Sequence, residues 1–200
     1  MTGRAVGRAP AVVLIDPKFP HNVGGALRAC SCWGVGQLFW TGDRVTLNVP
    51  RGERLPREER MKGYRDVELY RDAAPLERFA SGTPVAVELR PSAESLVDFE
   101  HPEDAIYVFG PEDGTLPKGI LAACHRFVVI PTVHCLNLAA AVNVVLYDRR
   151  LKQHLRGSTR LPALGELAPG AESWSAWHED ATEEEIAAQI HRRSMTRSDP

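Results

Sequence analysis

The residues of this chain that could do chemistry are few, polar and far apart. Asn22 and Arg28 stand in an otherwise apolar stretch, Glu112 lies inside Gly110-Pro111-Glu112-Asp113-Gly114, and Asn137 precedes a long alanine-rich run. They form no nucleophile–base pair. Cys30, Cys32, Cys124 and Cys135 lack the paired C-x-x-C spacing of a structural zinc site, so no metal is expected and the thiols read as reduced and mostly buried. A guanidinium is effectively always protonated, so Arg28 suits positioning a hydroxyl and stabilising a developing alkoxide rather than accepting a proton. A plainer reading is open too: Arg28 as a solvated or salt-bridged helix residue, and Asn22 and Asn137 as helix caps. His21 and His134 read as polar residues at helix starts.

The elements that must position these groups follow from hydrophobic patterning. Ile106 to Phe109 is a short apolar run that stops at the Gly/Pro turn, which predicts a buried strand. Arg126 to Ile130 repeats the pattern and stops at Pro131, and Leu138 to Tyr147 is too long and alanine-rich for a strand and predicts a buried helix. Two such strands side by side, both opening into turns, form the ligand-binding edge of a parallel α/β sheet. The turns and the helix start would supply free backbone N–H and C=O groups around one slot, although plain strand-to-helix connections have the same pattern. Upstream, Val12 to Ile15 predicts the first strand, followed by a helix closed by Gly34 and a strand from Val35 to Trp40. Val67 to Tyr70 and Pro84 to Leu89 predict further strands, with helices over 73–80, 92–99 and 117–124. This alternation argues for an α/β fold with a mostly parallel sheet covered by helices on both faces.

Three motifs carry a family resemblance: Asn22-Val23-Gly24-Gly25-Ala26-Leu27-Arg28, then Phe109-Gly110-Pro111-Glu112, then Ile130-Pro131 with Leu136-Asn137-Leu138-Ala139. In this order the chain resembles the SpoU/TrmH-type family of SPOUT-class RNA 2′-O-ribose methyltransferases, from about Ala11 to Arg150. The resemblance implies a C-terminal deep trefoil knot, S-adenosyl-L-methionine as cofactor, and transfer of its methyl group to a ribose 2′-hydroxyl of tRNA or rRNA. It implies cofactor binding by Val87, Gly110, Ile130, Cys135, Leu136 and Leu138. It implies a catalytic set of Arg28, Asn22 and Glu112, with Asn137 tying the third motif to the first and Arg28 and Asn137 also serving the substrate. It further implies a homodimer paired through the Leu138 helix and the first one. The family usually has glycine where Thr115 stands and serine where Cys135 stands. Base methylation by the same fold and a non-catalytic RNA-binding protein are the rival readings. A Rossmann dinucleotide enzyme is disfavoured, because no G-x-G-x-x-G follows the first strand.

At 200 residues the chain suits one core domain, expected over 1–155, with an extension over 156–200 that consists of a linker and a short acidic helix. The net charge of −2 conceals a basic run, Arg51 to Arg65, and an acidic one, Glu166 to Glu185. Arg51, Arg54 and Arg57 in the first are candidate phosphate contacts for RNA. Thr182-Glu183-Glu184-Glu185 fits a capping box for a helix over Glu183 to Ser194. With no membrane-length apolar run or signal-like start, a cytoplasmic protein without membrane partners is expected.

Overall fold

The computed structural model describes residues 6–45 and 66–162. The whole basic run Arg51 to Arg65, with Arg51, Arg54 and Arg57, and the helix expected after Thr182 lie outside the described residues. The chain divides into two compact units, Met1–Arg156 and Gly157–Pro200, and every element below belongs to the first.

Seven strands form one sheet: β1 Ala11–Leu14, β2 Gln37–Trp40, β3 Glu68–Arg71, β4 Thr83–Val87, β5 Glu94–Ser95, β6 Ala105–Phe109 and β7 Arg126–Val129. Their order is β3-β2-β1-β6-β4-β7-β5, with every pairing parallel. Central strands of such a sheet are covered on both faces, which is why β1 and β6 are buried at every residue and read as unbroken apolar runs. Alternate side chains feed two cores. Val12, Leu14 and Tyr107 pack with α1 (Pro20–Trp33) and α3 (Leu138–Leu155), whereas Val13, Ile106 and Val108 pack with Leu116, Cys124 and the residues of α2 (Lys118–Ala123). Pro20 starts α1, and Gly34 ends it in the left-handed conformation at φ 74°, where its N–H caps the Cys30 carbonyl.

Three expectations are corrected. β6 and β7 are not neighbours, because β4 is inserted between them and pairs with both. The segment 73–80 makes only a 3-10 turn, Pro75–Arg78, held by Asp72, which accepts from the Ala74 N–H and pairs with Arg78. The segment 92–99 is not a helix. Glu94–Ser95 add an edge strand to β7, with Glu94 accepting from Nε and Nη2 of Arg126, and the spacing of buried Leu96 and Phe99 reflects a turn.

α3 also extends well beyond Tyr147. Its second half is held by polar contacts rather than by an apolar stripe. Lys152 Nζ donates to the carbonyls of Leu96 and Phe99 at 2.5 and 3.1 Å, and Arg149 Nη2 donates to the Glu103 carbonyl at 2.8 Å. Buried His101 bridges the sheet and the helix, 2.6 Å from the Tyr107 hydroxyl and 2.7 Å from Asp148. Burial lowers the His101 pKa and outweighs the opposing pull of Asp148, so the ring is neutral, accepting from Tyr107 and donating to Asp148. The unfolded chain takes up this proton near pH 6.5, whereas the folded protein holds it off to lower pH. Stability therefore has its full value above about pH 6.5 and falls as the pH drops through the folded pKa. His101→Ala is expected to cost about 1–3 kcal/mol, since it leaves the buried Tyr107 hydroxyl without its acceptor while Asp148 keeps Lys152, and to shallow that acid-side fall; urea unfolding across a pH series measures both.

Candidate active site

The C-terminal ends of β4, β6 and β7 stop level with one another, Val87 being in register with both Phe109 and Val128. Beyond them opens a cleft of about 290 Å³. Val87, Gly110, Ile130, Cys135, Leu136 and Leu138, the six residues expected to hold a cofactor, all line it, together with Glu88, Glu112 and His134. Apolar walls with a few convergent polar groups are the usual make-up of a small-molecule site. At Gly110 a Cβ would stand 3.4 Å from the Leu116 nitrogen and 3.6 Å from Glu88 Oε2, so bare backbone leaves the space that a side chain would take. S-adenosylmethionine, an elongated nucleoside derivative whose adenine suits apolar walls and whose ribose and charged amino-acid arm need polar partners, fits this mixed lining. The residues gathered here are those implied by the resemblance.

Asparagines link the three motifs at the rim. Asn137 caps α3, its Oδ1 accepting from the N–H groups of Ala139 and Ala140 at 2.9 and 3.3 Å, while its Nδ2 donates to Asn22 Oδ1 at 2.8 Å. Asn22 in turn donates through Nδ2 to Glu112 Oε1, and the Lys18 backbone N–H donates to Glu112 Oε2 at 2.8 Å. Burial alone would raise the Glu112 pKa, but the Asn22 amide and the backbone N–H groups of Lys18 and Phe19 outweigh it and hold the carboxyl below its ordinary range. Asn137 is thus both cap and link. Asn22 is buried within α1 and caps nothing, since Phe19 is the N-cap and makes no side-chain bond. The link needs α1 and α3 in close contact, and a Cβ on Gly25 would lie 2.7 Å from the Ala139 Cβ, so glycine is required there.

Arg28 is placed differently from Asn22. It is exposed on α1, does not line the cleft, and makes no hydrogen bond or ion pair among the described residues. Glu112 does not hold it, since both carboxylate oxygens already serve Asn22 and Lys18. Sequence reasoning also missed a second cluster. Arg44 makes two bonds to Asp113, at 2.9 and 3.1 Å, and Lys18 pairs with the same carboxylate at 3.1 Å, which pulls its pKa down to about 2. No spacing announces this cluster, because its members come from three loops. Of the cysteines, Cys30 and Cys124 are buried, with burial pushing the Cys124 thiol up to about 11, whereas Cys32 and Cys135 are exposed. Among the described residues no group of three or more His, Cys, Asp or Glu could hold a metal ion, and no helix is long and apolar enough to cross a membrane.

Residues 9–147 match the model of the SpoU rRNA Methylase family. This chain belongs to that family. The match runs from just before β1 into α3 and includes Asn22–Arg28, Phe109–Glu112 and Leu136–Ala139. A curated relative, the tRNA (cytidine/uridine/adenosine-2′-O-)-methyltransferase TrmJ of Pseudomonas aeruginosa (strain UCBPP-PA14), is 30% identical over 158 residues, which are 70% of this chain and 60% of that protein. The chain thus spans about 60% of the length of this relative. Among solved structures, one concerned with 2-OH methylation of C/U34 on tRNA is similar with 28% identity and a TM-score of 0.60, over 74% of this chain and 96% of that one. The SpoU methyltransferase AviRb from Streptomyces viridochromogenes, solved with AdoMet, is similar in fold with a TM-score of 0.60 at 18% identity, over 75% of this chain and 63% of its own.

Proposed function

We propose that this SpoU-family chain is an S-adenosylmethionine-dependent RNA methyltransferase that acts on a ribose 2′-hydroxyl of tRNA or rRNA. The observation that carries the reading is the Asn137–Asn22–Glu112 link, which joins all three motifs beside one cleft at the sheet edge. The relative and the solved structure described as 2′-O or 2-OH methylating support it. S-adenosylmethionine supplies a methyl group already activated on a sulfonium, so the protein's task is alignment. Val87, Ile130, Leu136 and Leu138 exclude water and wall the cofactor, while Gly110 and Cys135 offer main-chain groups to it. Glu112 and Asn22 fix the first and second motifs against each other. Arg28, without a partner among the described residues, receives the target hydroxyl and stabilises negative charge there. Holding two reactants in line can supply roughly 7–11 kcal/mol of barrier reduction, enough for a site with no nucleophile.

The same reading includes a deep trefoil knot through which α3 is threaded, a core domain over 1–155 with an extension over 156–200, RNA phosphate contacts from Arg51, Arg54 and Arg57, and a homodimer. Support for the dimer comes from the outer face of α3 and the start of α1, where Val144, Tyr147 and Phe19 are exposed. Light scattering at micromolar concentration is expected to give twice the mass of the chain; a monomer mass would overturn the dimer. Titration calorimetry with S-adenosylhomocysteine is expected to show one site per chain, lost in Ile130→Asp. Mass spectrometry of nucleosides from cells with and without the protein then tests the activity. Cofactor binding without any missing 2′-O-methylnucleoside would favour the non-catalytic reading, and a missing base methylation would favour the other rival.

A further inference from the structure

Two carboxylates line the cleft, and only one is accounted for. Both Glu112 oxygens are committed to Asn22 and Lys18. Glu88, the residue after the end of β4, is half-buried in the cleft wall. Its Oε2 accepts from the Thr115 hydroxyl and the Leu116 N–H, both at 3.0 Å, and its Oε1 accepts only from its neighbour's Leu89 N–H at 3.2 Å. A carboxylate offers about four lone-pair positions, so three contacts fix the group and leave acceptor capacity toward the cleft. Thr115, where the family usually has glycine, supplies one of those fixing bonds.

We propose that Glu88, held in place by Thr115, accepts hydrogen bonds from the ribose hydroxyls of the cofactor. The inference rests on the cofactor occupying this cleft, as proposed above. A carboxylate at the carboxyl edge of a parallel sheet is a recurrent acceptor for the hydroxyls of an adenosine ribose. The other ribose at the site, that of the RNA, is the competing recipient, since a carboxylate can also take the proton of a reacting hydroxyl; probes bound without RNA separate the two. The remaining donor of the cofactor is its ammonium. A carboxylate would also attract that cation, so the two donors are told apart by a probe that keeps the ribose and lacks the ammonium.

The test is calorimetry with two probes, S-adenosylhomocysteine and 5′-methylthioadenosine, which share the ribose; the second lacks the ammonium. Glu88→Gln is expected to weaken both probes by about tenfold, and Thr115→Ala, which keeps the carboxylate but loosens it, by about threefold, with circular dichroism unchanged. A loss confined to S-adenosylhomocysteine would assign Glu88 to the ammonium and overturn the proposal. Unchanged affinities in both variants, with Ile130→Asp still abolishing binding, would overturn it while leaving the cleft reading intact. Wild-type protein that binds neither probe would refute the cleft reading and this inference with it.

Discussion

Arg28→Ala is expected to slow single-turnover methylation of a responsive RNA by at least about 100-fold, about 2.7 kcal/mol, by comparison with removal of one preorganised donor in other enzymes. Cofactor affinity and thermal unfolding are expected to stay near wild type, because Arg28 is exposed, lies outside the cleft wall and has no partner among the described residues to lose. This separation is the decisive feature. A helix arginine with a structural role would be paired, and its loss would appear in stability; Arg28, unpaired among the described residues, is available to a substrate. Arg28→Lys is expected to rescue poorly, since an ammonium lacks the planar fork of a guanidinium. A change below about threefold in the chemical step, the scale of an exposed pair, would remove Arg28 from the reaction.

Asn137 is expected to show the other large effect, and two substitutions divide its roles. Asn137→Ala removes both the cap of α3 and the bond to Asn22, with a cost of about 1–3 kcal/mol in stability and at least about tenfold in the chemical step. Asn137→Asp keeps an acceptor for the Ala139 and Ala140 N–H groups and adds a negative charge at a helix N-terminus, which is favourable. It loses the donor to Asn22 Oδ1 and sets two acceptors against each other. Stability near wild type with a rate lowered as far as in Asn137→Ala is the expected result, read by urea unfolding and single-turnover kinetics together. If Asn137→Asp turns over at the wild-type rate, Asn137 is a cap alone and the link between motifs does not serve catalysis.

The sequence by itself determined the local frame of this protein. Apolar runs such as Ile106 to Phe109 must be buried on both faces, and glycine or proline must end them, so β1, β6, β7 and α1 were legible within a residue or two. That the six residues expected to hold a cofactor line one cleft was legible for a related reason: strand ends and turns are local features, and their motifs resemble a family that uses them. Only the tertiary structure decided which strands are neighbours, since β4 enters between β6 and β7 by pairing and not by any local signal. It also converted the Leu96–Phe99 spacing into a turn beside an edge strand and carried α3 past Tyr147 through contacts with Leu96, Phe99 and Glu103. Long-range polar pairing decided the rest. Asn22 meets Glu112 across 90 residues and Asn137 across 115, and Glu88 meets Thr115 across 27; hydrogen bonds at such separations leave no periodicity in the chain, because folding alone brings the partners together.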